Sequence, residues 1–151
     1  KRMPAEQCRA EIDRIIERLQ FDPGTPGGDH RFMNWDQARE LSRAGIEVGA
    51  HTVSHPILSR VPIEEATREV LGSRDKVVRE LGQCSPVFAY PNGKQDDFTR
   101  DVEALCRQHF RAAVSTNRGF ASNDERFALR RLSVSDGPSA GRREWTLLQE
   151  R

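Results

Sequence analysis

Helix-like and strand-like hydrophobic patterns alternate along this chain, and that alternation points to a parallel α/β sheet or barrel, not a sandwich or a helical bundle. Residues 4–19 place Cys8, Ile12, Ile15, Ile16 and Leu19 at helical spacing among charges, with Pro4 well placed at the start. A turn-rich break follows, Asp22-Pro23-Gly24-Thr25-Pro26-Gly27-Gly28-Asp29. It lacks both the Gly-Lys-Ser/Thr ending and the preceding strand of a phosphate loop. Asn34 then caps a second helix, Gln37 completes a capping-box pattern, and Gly45 stops the helix after Leu41 and Ala44. Ile46, Val48 and Ala50 alternate with Glu47, Gly49 and His51, the period of a short strand.

The same grammar recurs downstream. A helix is predicted over residues 62–81, stopped by Gly82, with Ile63, Ala66, Val70, Val77, Val78 and Leu81 on its apolar face and Arg68, Glu69 and Arg79 in solvent. A strand over 87–90 ends in the turn Pro91-Asn92-Gly93; a helix over 97–109 with Phe98, Val102, Leu105 and Cys106 inward leads into a strand over 110–114. A last strand is expected over 127–134 and a last short helix, with Trp145 and Leu148, over 144–149.

Composition then excludes several functions. A chain of 151 residues is one domain's worth of polypeptide, so we expect a single domain over 1–151. Twenty-four Lys and Arg against 23 Asp and Glu leave a formal charge of +1, so no overall field attracts nucleic acid or an anionic membrane. No apolar run approaches the ~20 residues of a membrane span, and the first twenty residues carry charges where a signal peptide would be apolar. Cys8, Cys84 and Cys106 form no Cys-x-x-Cys pair, which reads as reduced or buried thiols. Because the chain opens on Lys1 and not Met, we expect residues to have been removed upstream.

The most informative pair is His51 and His55, in His51-Thr52-Val53-Ser54-His55-Pro56. His51 falls at the C-terminal end of a predicted strand, the edge at which parallel α/β folds build their sites. Two imidazoles four residues apart converge on one divalent cation if the loop turns helically, and the small polar Thr52 and Ser54 suit a tight turn. The spacing alone also describes two unrelated loop histidines.

The segment from Asn34-Trp35-Asp36-Gln37-Ala38-Arg39-Glu40-Leu41 through Ala44-Gly45-Ile46-Glu47-Val48-Gly49-Ala50 to that histidine motif closely resembles the polysaccharide deacetylases of the NodB-homology group, carbohydrate esterase family 4. Val70-Leu71-Gly72-Ser73-Arg74 resembles the helix that follows in the family, Phe88-Ala89-Tyr90-Pro91-Asn92-Gly93 its Phe-Ala-Tyr-Pro-x-Gly segment, and Ala112-Ala113-Val114 and residues 127–132 its late strands. The resemblance covers roughly residues 33–134. It implies a distorted (β/α) barrel, here incomplete at its N-terminus, and an enzyme that removes N-acetyl groups from an N-acetylglucosamine polysaccharide by metal-assisted hydrolysis. His51 and His55 would ligate a divalent metal ion, zinc first among the candidates. Tyr90, Pro91 and Asn92 would line the substrate and the oxyanion site, and because Pro91 has no N–H the backbone donor would come from a neighbour such as Asn92. Arg131 resembles the arginine of a late Leu-Pro-Arg segment, with Arg130 in the proline position.

This chain departs from the family pattern in two places. The family's Thr-Phe-Asp-Asp strand end, whose acids serve as general base and third metal ligand, is not in this sequence. Asp96-Asp97 reads as a helix cap, and His30 and His109 as solvated or structural, so the general acid stays unassigned. The alternative to the enzyme is a non-catalytic carbohydrate-binding or scaffold remnant of the same fold. A structural zinc site in a binding module lacks the closed set of four ligands. The expected partner is a polysaccharide. Compartment and oligomeric state are left open.

Overall fold

Apolar residues that switch from helical to alternate spacing and back give strands laid side by side in chain order, each reached through a helix or a short connection. The computed structural model describes residues 4–20 and 32–132. In that part helices α1 (Ala5–Leu19), α2 (Trp35–Arg43) and α3 (Ile63–Leu81) are followed by β1 (Val87–Ala89), α4 (Arg100–His109), β2 (Ala112–Arg118) and β3 (Leu129–Arg131). The sheet order is β1-β2-β3 with both pairs parallel, Phe88 lying opposite Ala113. Parallel pairing, with α4 connecting β1 to β2, is the α/β architecture that the alternation of helices and strands predicts. Among the described residues the sheet stays open.

Several boundaries moved, each for a local reason. The strand expected over 46–51 forms no regular ladder: it gives two carbonyls to the β1 side, Ser85 N–H donating to Val48 at 2.8 Å and Ala89 N–H to Ala50 at 3.2 Å. Ala50 is buried, whereas Ile46 is half exposed. Helix α4 starts later than expected because Thr99 is its cap, accepting from Val102 N–H at 3.3 Å. Asp97 caps the preceding 3-10 turn, Gln95–Asp97, by accepting from Lys94 N–H at 3.0 Å. The β2–β3 register shifts between Val114 and Arg118. There the buried Ser115 hydroxyl meets the carbonyls of Ala128 and Leu129 at 3.3 and 3.0 Å, satisfying groups that the shifted ladder leaves over.

The capping box of α2 forms as read, with Asn34 and Gln37 exchanging hydrogen bonds at 2.9 Å in both directions. Helix α3 ends at Gly82, whose φ of 77° suits glycine. It buries Ala66, Val70, Ser73 and Val77. Val78, expected in the core, is 42% exposed: it lies one position past Val77, about 100° around the helix. The core joins Val70 of α3 and Val102 and Cys106 of α4 to Phe88, Phe98, Tyr90, Phe110 and Ala113. Tyr90 stacks on Phe98 with ring centroids 3.8 Å apart.

Helix α1 is amphipathic as expected, yet Ile12 and Ile15 are each 50% exposed. An Arg9–Glu65 ion pair at 3.3 Å ties it to α3. Cys8 is exposed, Cys84 half-buried and Cys106 buried, all as free thiols. Among the described residues no helix is long and apolar enough to cross a membrane. The turn over 22–29, His30, the end of the last strand and the helix over 144–149 lie outside the described residues.

Candidate active site

The chain turns directly after Ala50, so His51 stands where the next ladder bond to β1 would be. Its Nδ1 lies 2.7 Å from the Ala89 carbonyl oxygen. A carbonyl only accepts, so Nδ1 carries the proton and donates, and in the neutral ring Nε2 keeps its lone pair for another partner. The same geometry orients metal-binding histidines generally. The His55 ring stands edge-on to it, centroids 4.8 Å apart and planes at 75°.

The turn that brings the rings together is unusual backbone. Thr52 and His55 have φ of 65° and 59°, left-handed values that a non-glycine residue seldom adopts. Within the turn the His55 N–H donates to Thr52 Oγ1 at 3.2 Å. From outside, Glu69 of α3 accepts the N–H groups of Val53 and Ser54 on Oε2, both at 2.8 Å, and the Ser54 hydroxyl on Oε1 at 2.7 Å. Glu69 was expected in solvent. Its place on α3, three residues after Ala66 and four before Ser73, both buried, was the available signal that it faces the body of the protein.

The segment after β1 departs in part from expectation. Tyr90, expected to line the substrate, turns its side chain into the core, where it is 1% exposed and its hydroxyl donates to the Phe127 carbonyl at 2.8 Å. A phenol satisfied there has no hydrogen left for a ligand, and the Tyr90 N–H is taken by the Val114 carbonyl at 3.2 Å. Pro91 is buried too. Asn92, at a left-handed φ of 59°, turns the chain outward, and its own N–H meets no acceptor among the described residues. The peptides before and after Asn92 are both held. Thr116 Oγ1 donates to its carbonyl at 2.6 Å, Gly93 N–H reaches back to Pro91 at 2.6 Å, and Thr116 N–H donates to Gly93 at 2.8 Å. Gly93 is required, because at its φ of 72° a Cβ would stand 3.0 Å from both Thr116 N and the Tyr90 oxygen.

Asn92 and His55 line one cleft of about 460 Å³, together with Ile12, Ser54, Ile57 and Arg60. Arg131 serves the sheet: its Nε donates to the Ser115 carbonyl at 2.6 Å, at the register shift. His109 is exposed at the end of α4, with Nδ1 3.5 Å from Arg74, and Asp96 is exposed while Asp97 is buried in its cap. The two imidazoles fit two positions around a divalent cation. Among the described residues no third His, Cys, Asp or Glu completes a cluster with them.

Comparison with known proteins places this geometry in context. The polysaccharide deacetylase family model matches residues 26–109, just over half of the 151 residues. Among solved structures, the deacetylase PplD of Streptococcus pyogenes, in complex with acetate, is similar with a TM-score of 0.68 and 27% identity over 81% of this chain and 52% of that one. A polysaccharide deacetylase from Bacillus cereus gives 0.58 and 20%, over 82% of this chain and 42% of that one. IcaB from Ammonifex degensii gives 0.58 and 16%, over 90% and 66%. The chain thus spans about half, or less, of the first two. Comparison with curated proteins finds no match.

Proposed function

The chain belongs to the polysaccharide deacetylase family, and on that premise we propose that it carries the metal-binding part of a hydrolase that removes N-acetyl groups from an N-acetylglucosamine-containing polysaccharide. His51 and His55 are the metal ligands in this reading, and zinc is the ion that two imidazoles favour first. The observation that carries it is the His51 ring, locked by Ala89 through Nδ1 with Nε2 left free beside His55. A bound divalent cation supplies Lewis acidity at the acetamide carbonyl. The N–H of Asn92, a residue that lines the same cleft as His55, is the donor for the oxyanion that develops there; Gly93 N–H holds its peptide through the Pro91 carbonyl and Thr116 Oγ1 holds the next peptide through the Asn92 carbonyl, so that little reorganisation is needed. Tyr90 and Pro91 act by packing beneath the loop, and Arg131 by holding the sheet.

The alternative, a carbohydrate-binding module without catalysis, draws on the lack, among the described residues, of a third His, Cys, Asp or Glu that completes a metal-binding group with the two imidazoles. Titrating zinc calorimetrically into the chain and into a His51→Ala, His55→Ala double variant tests the metal site. Binding that disappears in the double variant is the expected result, and equal binding by the two overturns the assignment. Acetate release separates enzyme from binding module.

A further inference from the structure

We propose that Glu69 is the positioning residue of the metal-binding turn: from helix α3 it holds residues 51–55 in the shape that brings the two imidazoles together. The inference rests on the metal reading above and adds to it a residue outside the histidine motif. Two left-handed residues, Thr52 and His55, hold backbone that non-glycine residues seldom adopt and that needs support from its surroundings. The contact inside the turn, His55 N–H to Thr52 Oγ1 at 3.2 Å, is a single neutral hydrogen bond. Glu69 adds three bonds of 2.7 to 2.8 Å, short as charge-assisted bonds are. Both of its oxygens are engaged by the turn, which makes the carboxylate a clamp and not a ligand. Its base is rigid, because Ala66, Val70 and Ser73 around it are buried.

Gly72 completes the seat. It lies three residues after Glu69 on the same side of α3, and a Cβ there would stand 3.3 Å from Val53 Cγ2, so the missing side chain lets the turn come down onto the helix. Glu69 supplies the attraction and Gly72 the room. Partners that orient metal ligands in this indirect way typically change metal affinity by about 10-fold to 100-fold when removed.

The test is zinc titration of the full chain carrying Glu69→Ala, Glu69→Gln or Arg39→Ala, with amide hydrogen exchange at Val53 and Ser54 measured in the absence of metal. Glu69→Ala should weaken zinc at least about tenfold and expose both amides to exchange. Glu69→Gln should keep most of the affinity, because its amide oxygen still accepts both N–H groups and its NH2 faces the Ser54 hydroxyl. Arg39→Ala removes the bridge from α2 to Glu80, away from the turn, and should lower the melting temperature without changing zinc affinity. Wild-type affinity in Glu69→Ala overturns the proposal, and so does equal weakening by Glu69→Ala and Arg39→Ala. If the wild type binds zinc no better than the histidine double variant, the metal reading fails. Exchange then judges the clamp alone: unchanged protection of Val53 and Ser54 in Glu69→Ala overturns it.

Discussion

Tyr90 is the only tyrosine of the chain, so tyrosinate absorbance reports on one buried phenol. Burial pushes that phenol far above its ordinary value, with the neighbouring Cys106 adding to the effect, and burial pushes the Cys106 thiol up to about 11 from 9.0. In both groups the folded protein favours the protonated form. Their contribution to stability is therefore complete below the unfolded values and is lost as pH rises through about 9 to 11 and beyond. The melting temperature should hold to about pH 9 and then fall, with tyrosinate appearing only as the chain unfolds; tyrosinate in a fully folded protein near pH 10 would contradict the burial of Tyr90. A second expectation is that Gly93→Ala loses about 1 to 3 kcal/mol of stability in denaturant unfolding, since Ala must take a left-handed φ against two backbone atoms. How far such residues can be read from sequence depends on how far away their partners are. Asn34 and Gln37 satisfy each other within three residues, and the histidine pair sits within five, so both were legible. Glu69 binds groups 15 and 16 residues away and Ser115 groups 13 and 14 away, so nothing local marks either one.

Helix α3 shows the same division at the scale of an element. Its period, its glycine stop and most of its buried face follow from the sequence, but an apolar stripe drawn wide enough to include Val78 also pushes Glu69 out of view. Val77→Asp should unfold the protein, because burying an unpaired carboxylate costs several kcal/mol, of the order of the whole stability. Arg79→Ala, on the exposed side, should change little. Thermal melts of the two variants decide it, and equal losses would mean that the helix faces the other way. The segment over 46–51 was harder to read. Alternation identified the segment, but a ladder also needs a partner in register, and β1 gives this segment a single backbone bond, Ala89 N–H to Ala50, with Ser85 N–H to Val48 just ahead of the strand. A strand of three residues, as β1 is, has few groups to pair, and the His51 ring occupies the next carbonyl.

At the scale of the whole molecule, the described residues carry the proposed metal-ligand pair and the proposed oxyanion donor, and no third His, Cys, Asp or Glu completes a metal-binding group with them. With zinc added, the chain should release little acetate from an acetylated glucosamine oligomer, since general acid–base help contributes about 10² to 10⁴ in rate. Supplying a segment that ends in Asp-Asp should restore release. Full activity in the 151-residue chain would show that a residue such as Asp96, Asp97 or His109 reaches the reacting centre, and the roles would have to be reassigned. The parallel fold itself was legible because helices and strands alternate, whereas the register shift at Ser115 depends on contacts that no local pattern encodes. Among the described residues the strand order, β1-β2-β3, follows the order of the chain. That order predicts assembly from β1 towards β3, with β1 and α3 as the platform on which β2 and then β3 dock. Pulse-labelled exchange during refolding should find the β1 and β2 amides protected no later than those of β3, because β3 has nothing to pair with until β2 is in place.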